Sequence, residues 1–138
     1  MEIDQITGAI VDASMRIHTA LGPGLLESVY EACLKHELSK KQYEVRSQVW
    51  LPVVYDGMQF DSGYKIDLLV EDLVIVELKV VERFLDVHQA QLLSYLKLSR
   101  KPVGLLINFQ CRPPAAWDQK NDQSPSESSA SSVAVGRT

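Results

Sequence analysis

The stretch that most limits what this chain can fold into is residues 64–81, YKIDLLVEDLVIVELKVV. It holds two apolar runs joined by Glu71-Asp72-Leu73, a three-residue loop of a common hairpin length. With that loop Val70 faces Val74, and counting back sets Asp67 directly opposite Glu77. Strand side chains alternate between faces, so Lys79 joins the two carboxylates. The other face carries Ile66, Leu68, Val70, Val74, Val76, Leu78 and Val80, all apolar. A slip of one residue would drive a carboxylate into that layer, so the pattern specifies its own register.

Two carboxylates opposite each other repel and weaken a sheet. A divalent cation would compensate, and oxygen donors suit Mg²⁺ or Mn²⁺ rather than zinc. Such an ion polarises a phosphoryl oxygen and acidifies a bound water. Lys79 beside it would orient that water or stabilise charge developing on a phosphate. The alternative stays open at this stage: an ordinary ion pair of Lys79 with Asp67 or Glu77 on a solvated face.

Upstream, Ile3, Ile6, Ile10, Ala13, Ile17 and Leu21 recur at helical spacing and predict an amphipathic helix over about residues 4–20, with Asp4 as its cap. Gly22-Pro23-Gly24 breaks it and starts a second helix that runs to about Lys40, marked by Leu25, Leu26, Val29, Ala32, Cys33 and Leu38. Residues 45–55 and 58–60 read as strands about Asp56-Gly57, a strong two-residue hairpin signal. Pro52 demotes part of the first run to an edge or bulge. These strands and the 64–81 hairpin form one expected antiparallel meander. Asp86 reads as the cap of a third helix along Val87, Ala90, Leu93, Leu96 and Lys97, ended by Pro102. Residues 103–109 are continuously apolar, as in a strand buried on both faces. The strand–helix–strand unit makes it parallel to residues 74–80. The expected fold class is α/β, a mixed sheet with helices packed on it, in the order α-α-β-β-β-α-β.

At 138 residues, 46% of them hydrophobic, the chain can bury one domain's core. That domain is expected over residues 1–111. Residues 112–138 hold Pro113-Pro114, a serine-rich run and few large apolar groups beyond Trp117, and are expected to be a disordered low-complexity tail. The net charge of −4 offers no global field to attract nucleic acid or anionic lipid. Cys33 and Cys111 make no disulfide framework, which points to a reduced, cytoplasmic setting. The acidic start reads as no signal peptide, and no stretch reaches the roughly 18 apolar residues of a membrane span.

Glu27 falls in the first turn of the second helix, where a carboxylate suits the helix dipole and free amides without any further role. Tyr30 and Glu31 lie one turn on, and Glu31 can pair with Lys35 at i+4. Gln91 and Tyr95 share a face of the third helix and either point at a ligand or form a solvent stripe. His88, at that helix's start, reads as exposed or capping.

Residues 24–30, GLLESVY, resemble the signature of the GxxExxY protein family, and LGPGLLESVYEACLKHEL resembles its N-terminal block. That family belongs to the PD-(D/E)XK nuclease superfamily. Asp67 and Glu77-Leu78-Lys79 match its Asp and (D/E)xK elements, and Gln91-Leu92-Leu93-Ser94-Tyr95 matches the QxxxY element of its RecB-like branch. The closing GLLINF resembles the last core strand, so the likeness spans about residues 4–110. It implies a restriction-endonuclease-like core and metal-dependent hydrolysis of phosphodiester bonds. Asp67, Glu77, the Leu78 carbonyl and Glu27 would hold Mg²⁺ or Mn²⁺, Lys79 would be the catalytic lysine, and Gln91 and Tyr95 would line the site. The implied partner is nucleic acid, DNA ahead of RNA, with a homodimer or protein partner to help grip it and no membrane. Two departures stand out: Ile66 replaces the proline of the superfamily name, and the low-complexity tail replaces a further short segment after Asn108-Phe109. The rival readings are a non-catalytic module that binds a partner protein or nucleic acid, and a metal-dependent domain with another phosphate substrate.

Overall fold

The computed structural model describes residues 2–60, 63–110 and 132–137. Three helices, α1 (Ile3–Leu21), α2 (Glu27–Lys40) and α3 (Asp86–Ser99), pack on a five-stranded sheet. Its strands are β1 (Val45–Trp50), β4 (Lys65–Val70), β5 (Val74–Lys79), β6 (Val103–Asn108) and β7 (Ser132–Arg137), in the order β1-β4-β5-β6-β7. The other two strands, β2 (Val53–Tyr55) and β3 (Met58–Phe60), form a separate hairpin. The expected mixed α/β architecture is present, and β5 and β6 run parallel across α3.

The meander is not. β1 pairs directly with β4, and the 53–60 hairpin leaves the sheet between them. The break falls at Leu51-Pro52, because Pro52 has no N–H for a ladder. Asp56 and Gly57 take φ of 50° and 77°, the left-handed pair that a two-residue hairpin turn requires.

The tail is also corrected in part: residues 132–137 form β7, antiparallel to β6. β6 pairs with β5 on one side only, so its other edge offers unpaired backbone groups that an added strand satisfies. The expected domain end at Cys111, Trp117 and residues 112–131 lie outside the described residues.

Two cores sandwich the sheet. One lies under α1 and α2 and contains Ile6, Ile10, Ile17, Tyr30, Leu34, Leu68, Val76 and Leu105. The other lies under α3 and contains Ile66, Leu69, Ile75, Leu92, Tyr95 and Leu106. Helix α1 buries Ile6, Ile10, Ala13 and Ile17 of the expected row, but Ile3 is only partly buried, Leu21 at its end is exposed, and the cap is Glu2, which puts Asp4 in the first turn. Helix α2 buries Tyr30, Leu34 and Leu38, while Leu25, Leu26 and Val29 are exposed. Leu25 and Leu26 precede the helix, which starts at Glu27, so they never join its buried stripe. Helix α3 turns Leu92, Tyr95 and Leu96 inward and leaves Val87 and Leu93 exposed. Gly104 lets it approach: a Cβ there would come within 2.7 Å of Leu92 Cδ1.

Candidate active site

The β4–β5 hairpin has the register its sequence specifies: Val70 pairs with Val74, Leu69 with Ile75 and Leu68 with Val76. The recorded ladder stops there, one residue short of Asp67 and Glu77. At that level side chains take over from backbone. The Asp67 N–H donates to Glu77 Oε1 at 3.0 Å, and the Leu78 N–H donates to Asp67 Oδ2 at 2.9 Å. Each carboxylate thus replaces a carbonyl of the opposite strand. The two strands part without orphaning buried amides, which would be costly.

On its other side Asp67 also lacks a ladder partner: the β1–β4 pairing omits Gln48–Asp67. Gln48 sits in the left-handed region at φ 53°. Both strands change faces there. Val45, Leu68 and Val70 pack on the α1/α2 core, whereas Val49 and Ile66 pack on the α3 core. Ile66 is therefore corrected out of the apolar layer expected for it: the left-handed Gln48 breaks the alternation in β1, and on β4 Ile66, paired with Val49, lies on the same α3 side.

Helix α2 supplies the next side chains. Gly24 has φ 103°, open to glycine alone without strain. The buried Tyr30 hydroxyl donates to the Gly22 carbonyl at 2.6 Å and accepts from the Leu25 N–H at 3.1 Å. Its ring stacks on Phe109 with centroids 4.5 Å apart. Tyr30 thus pins the turn that delivers Glu27 as the first residue of α2, and is a core residue rather than part of the site. Although Glu27 is exposed as a residue, its carboxyl is pushed up first by partial loss of water and then by the negative charge of Asp67, while Lys79 pulls it down. Glu31, one turn on, is raised by burial and then by Asp67. It accepts from Gln48 Nε2 at 2.7 Å, and Lys35 turns instead to Ser47.

Glu77 is only 6% exposed. Burial, and then the facing Asp67 charge, lift its carboxyl to about 9, against partial pulls from the Asp67 N–H and then Lys79. From α3, the hydroxyl of the buried Tyr95 is pushed up to about 12 by partial loss of water, Glu77 and Asp67, so it remains a proton donor. Tyr64 packs edge-on against Tyr95 at 6.0 Å. Gln91 is half-buried one turn before Tyr95 and makes no hydrogen bond to either carboxylate among the described residues. His88 is a cap, its Nδ1 accepting from the Leu85 N–H at 3.0 Å; Leu85 precedes the first residue, Asp86.

Lys79 is half-buried and takes part in no ion pair among the described residues, so the structural-bridge alternative is not formed. Leu78 contributes backbone to the site while its side chain lies in the α1/α2 core. Four of the predicted side chains, Glu27, Asp67, Glu77 and Lys79, are thus electrostatically linked, with Tyr95 beside them. Sequence reasoning missed Gln48 and the inward turn of Glu31.

The donor chemistry fits a hard divalent cation: oxygen donors only, among them a carboxyl whose charge burial and the facing Asp67 disfavour. Among the described residues no three acidic, histidine or cysteine side chains stand close enough to form a ready-made metal cage. A groove of about 340 Å³ between α1 and α2, lined by Ile17, Cys33 and His36 among others, includes none of these side chains. No helix among the described residues is long and apolar enough to cross a membrane.

The profile of the PD-(D/E)XK nuclease superfamily matches residues 4–119, and the mixed sheet with helices on both faces is consistent with its restriction-endonuclease-like fold. No curated protein and no solved structure matches the chain. With the superfamily match covering most of its length, the chain belongs to the PD-(D/E)XK nuclease superfamily.

Proposed function

We propose that this domain is a metal-dependent nuclease that hydrolyses phosphodiester bonds in nucleic acid, DNA ahead of RNA, in the cytoplasm. The observation that carries the reading is the parting of β4 and β5 at Asp67 and Glu77, with the unbridged Lys79 in the same electrostatic cluster. GLLESVY and QLLSY support the finer placement in the GxxExxY family and the RecB-like branch. In this reading Asp67, Glu77 and the Leu78 carbonyl hold Mg²⁺ or Mn²⁺, with Glu27 reaching in from α2. Bound there, the ion supplies Lewis acidity to a phosphoryl oxygen and an acidified water.

The chain's own residues do the rest. The Leu78 N–H fixes one oxygen of Asp67. The Asp67 N–H does the same for Glu77. Lys79 places an ammonium where negative charge grows on the phosphate. Tyr95 presents a hydroxyl that keeps its proton, and Gln91 lines the approach from the same helix.

The second reading, a binding module without catalysis, draws on the net charge of −4 and on there being no three-ligand cage among the described residues. Incubating supercoiled plasmid and a labelled oligonucleotide with the protein and Mg²⁺ or Mn²⁺ separates the two. Cation-dependent cleavage that vanishes in Lys79→Ala and Asp67→Ala is expected. Cleavage by neither cation, or cleavage that survives both substitutions, overturns the nuclease reading.

A further inference from the structure

Gln48 lies inside β1, yet its φ of 53° is one that residues with a side chain rarely adopt and that strains the backbone. Such strain persists only where the surroundings impose it, and it gathers at functional sites. Here its effect is specific. The Gln48–Asp67 pairing is the one omitted from the β1–β4 ladder. The carboxamide that the turn releases points at two acids: Nε2 donates to Glu31 Oε1 at 2.7 Å and reaches Asp67 Oδ1 at 3.5 Å. The other Asp67 oxygen is already held by the Leu78 N–H at 2.9 Å.

We infer that Gln48 is a positioning residue of the phosphodiester site, fixing the orientation of Asp67 and drawing Glu31 in as a further carboxylate beside it. The inference rests on the nuclease reading and extends it to two residues outside the motifs that identified the site. Residue type follows from the task. A glutamate would set a third carboxylate against two others. Asparagine accepts the left-handed backbone but is one methylene short. Glycine accepts it and has no amide to give.

That last difference makes the test. Gln48→Gly removes the carboxamide and also relieves the backbone, so a merely structural residue would become harmless or stabilising. Three readouts are compared in wild type, Gln48→Gly and Gln48→Asn: thermal unfolding without cation, exchange of the Leu78 amide without cation, and Mn²⁺ affinity by calorimetry. For Gln48→Gly the expected result is a melting temperature at or above wild type, Leu78 amide exchange faster while Val76 is unchanged, and Mn²⁺ binding weakened by about tenfold or more, as for other groups that orient metal ligands. Gln48→Asn should fall between. Wild-type Mn²⁺ affinity and Leu78 exchange in Gln48→Gly would overturn the inference. If wild type itself binds no Mn²⁺ while Leu78 exchange still responds, the positioning role stands and the nuclease reading fails.

Discussion

Between Val70 and Leu68 the β4–β5 ribbon is a regular antiparallel ladder, and Leu68, Val70, Val74 and Val76 are fully buried against α1 and α2. One residue further, at Asp67 and Glu77, carboxylates stand in for carbonyls and the strands part. The same two strands are thus held at one end by apolar burial and at the other by acidic side chains whose charge burial disfavours. The regular end supplies the stability on which the parted end depends. In the proposed reading, the parted end is where a cation and a phosphate are received.

The largest expected effect tests the regular end. Leu68→Ala should cost about 2–5 kcal/mol in denaturant unfolding, as for other fully buried leucines. A cost below about 1 kcal/mol would break the comparison, because that end would then carry no special share of the stability.

The next effect is opposite in sign. Glu77 loses its proton near 4.5 when unfolded but near 9 when folded. Between those values the folded chain binds the extra proton, so this group's contribution to stability is full below pH 4.5 and falls as pH rises towards 9. Glu77→Gln keeps an oxygen for the Asp67 N–H and should flatten that slope. It should stabilise the cation-free protein near pH 9 by about 2 kcal/mol, a fraction of what the whole shift would give at ~1.4 kcal/mol per pKa unit, since relaxation and water entry absorb the rest. Urea midpoints at pH 5, 7 and 9 check both sign and slope.

A smaller loss is expected at Tyr30. Tyr30→Phe strands the Gly22 carbonyl and the Leu25 N–H and should cost about 1–3 kcal/mol. It should also loosen the turn before Glu27, read as faster exchange of the Leu25 amide. The smallest effect is at the hairpin loop. Asp72 is held below the usual carboxylate range by Lys101 and then Arg46, but it is solvent-exposed. Asp72→Asn should leave the unfolding midpoint unchanged at physiological salt, because exposed pairs are screened and weak.

The hairpin register was legible because a slip would have buried a carboxylate among Leu68, Val70 and Val76. Asp56-Gly57 was legible because few other pairs accept two left-handed residues. The change of faces at Gln48 was not, since a glutamine at positive φ has no signature in sequence; Ile66 and Glu31 were misread with it. Helix α3 was misread at Leu93 because QLLSYL offers apolar groups on several sides, and only packing against Gly104 selects Leu92. The Val133–Val135 pattern of β7 was hidden beside a serine-rich composition.

The most direct test of the central claim is titration of Mn²⁺ into folded wild type, Asp67→Asn and Glu77→Gln, followed by heat. Binding in wild type that weakens at least tenfold in each variant is the predicted result. No binding in wild type, or undiminished binding when Asp67 or Glu77 is replaced, would contradict the claim that the ribbon parts in order to hold a cation.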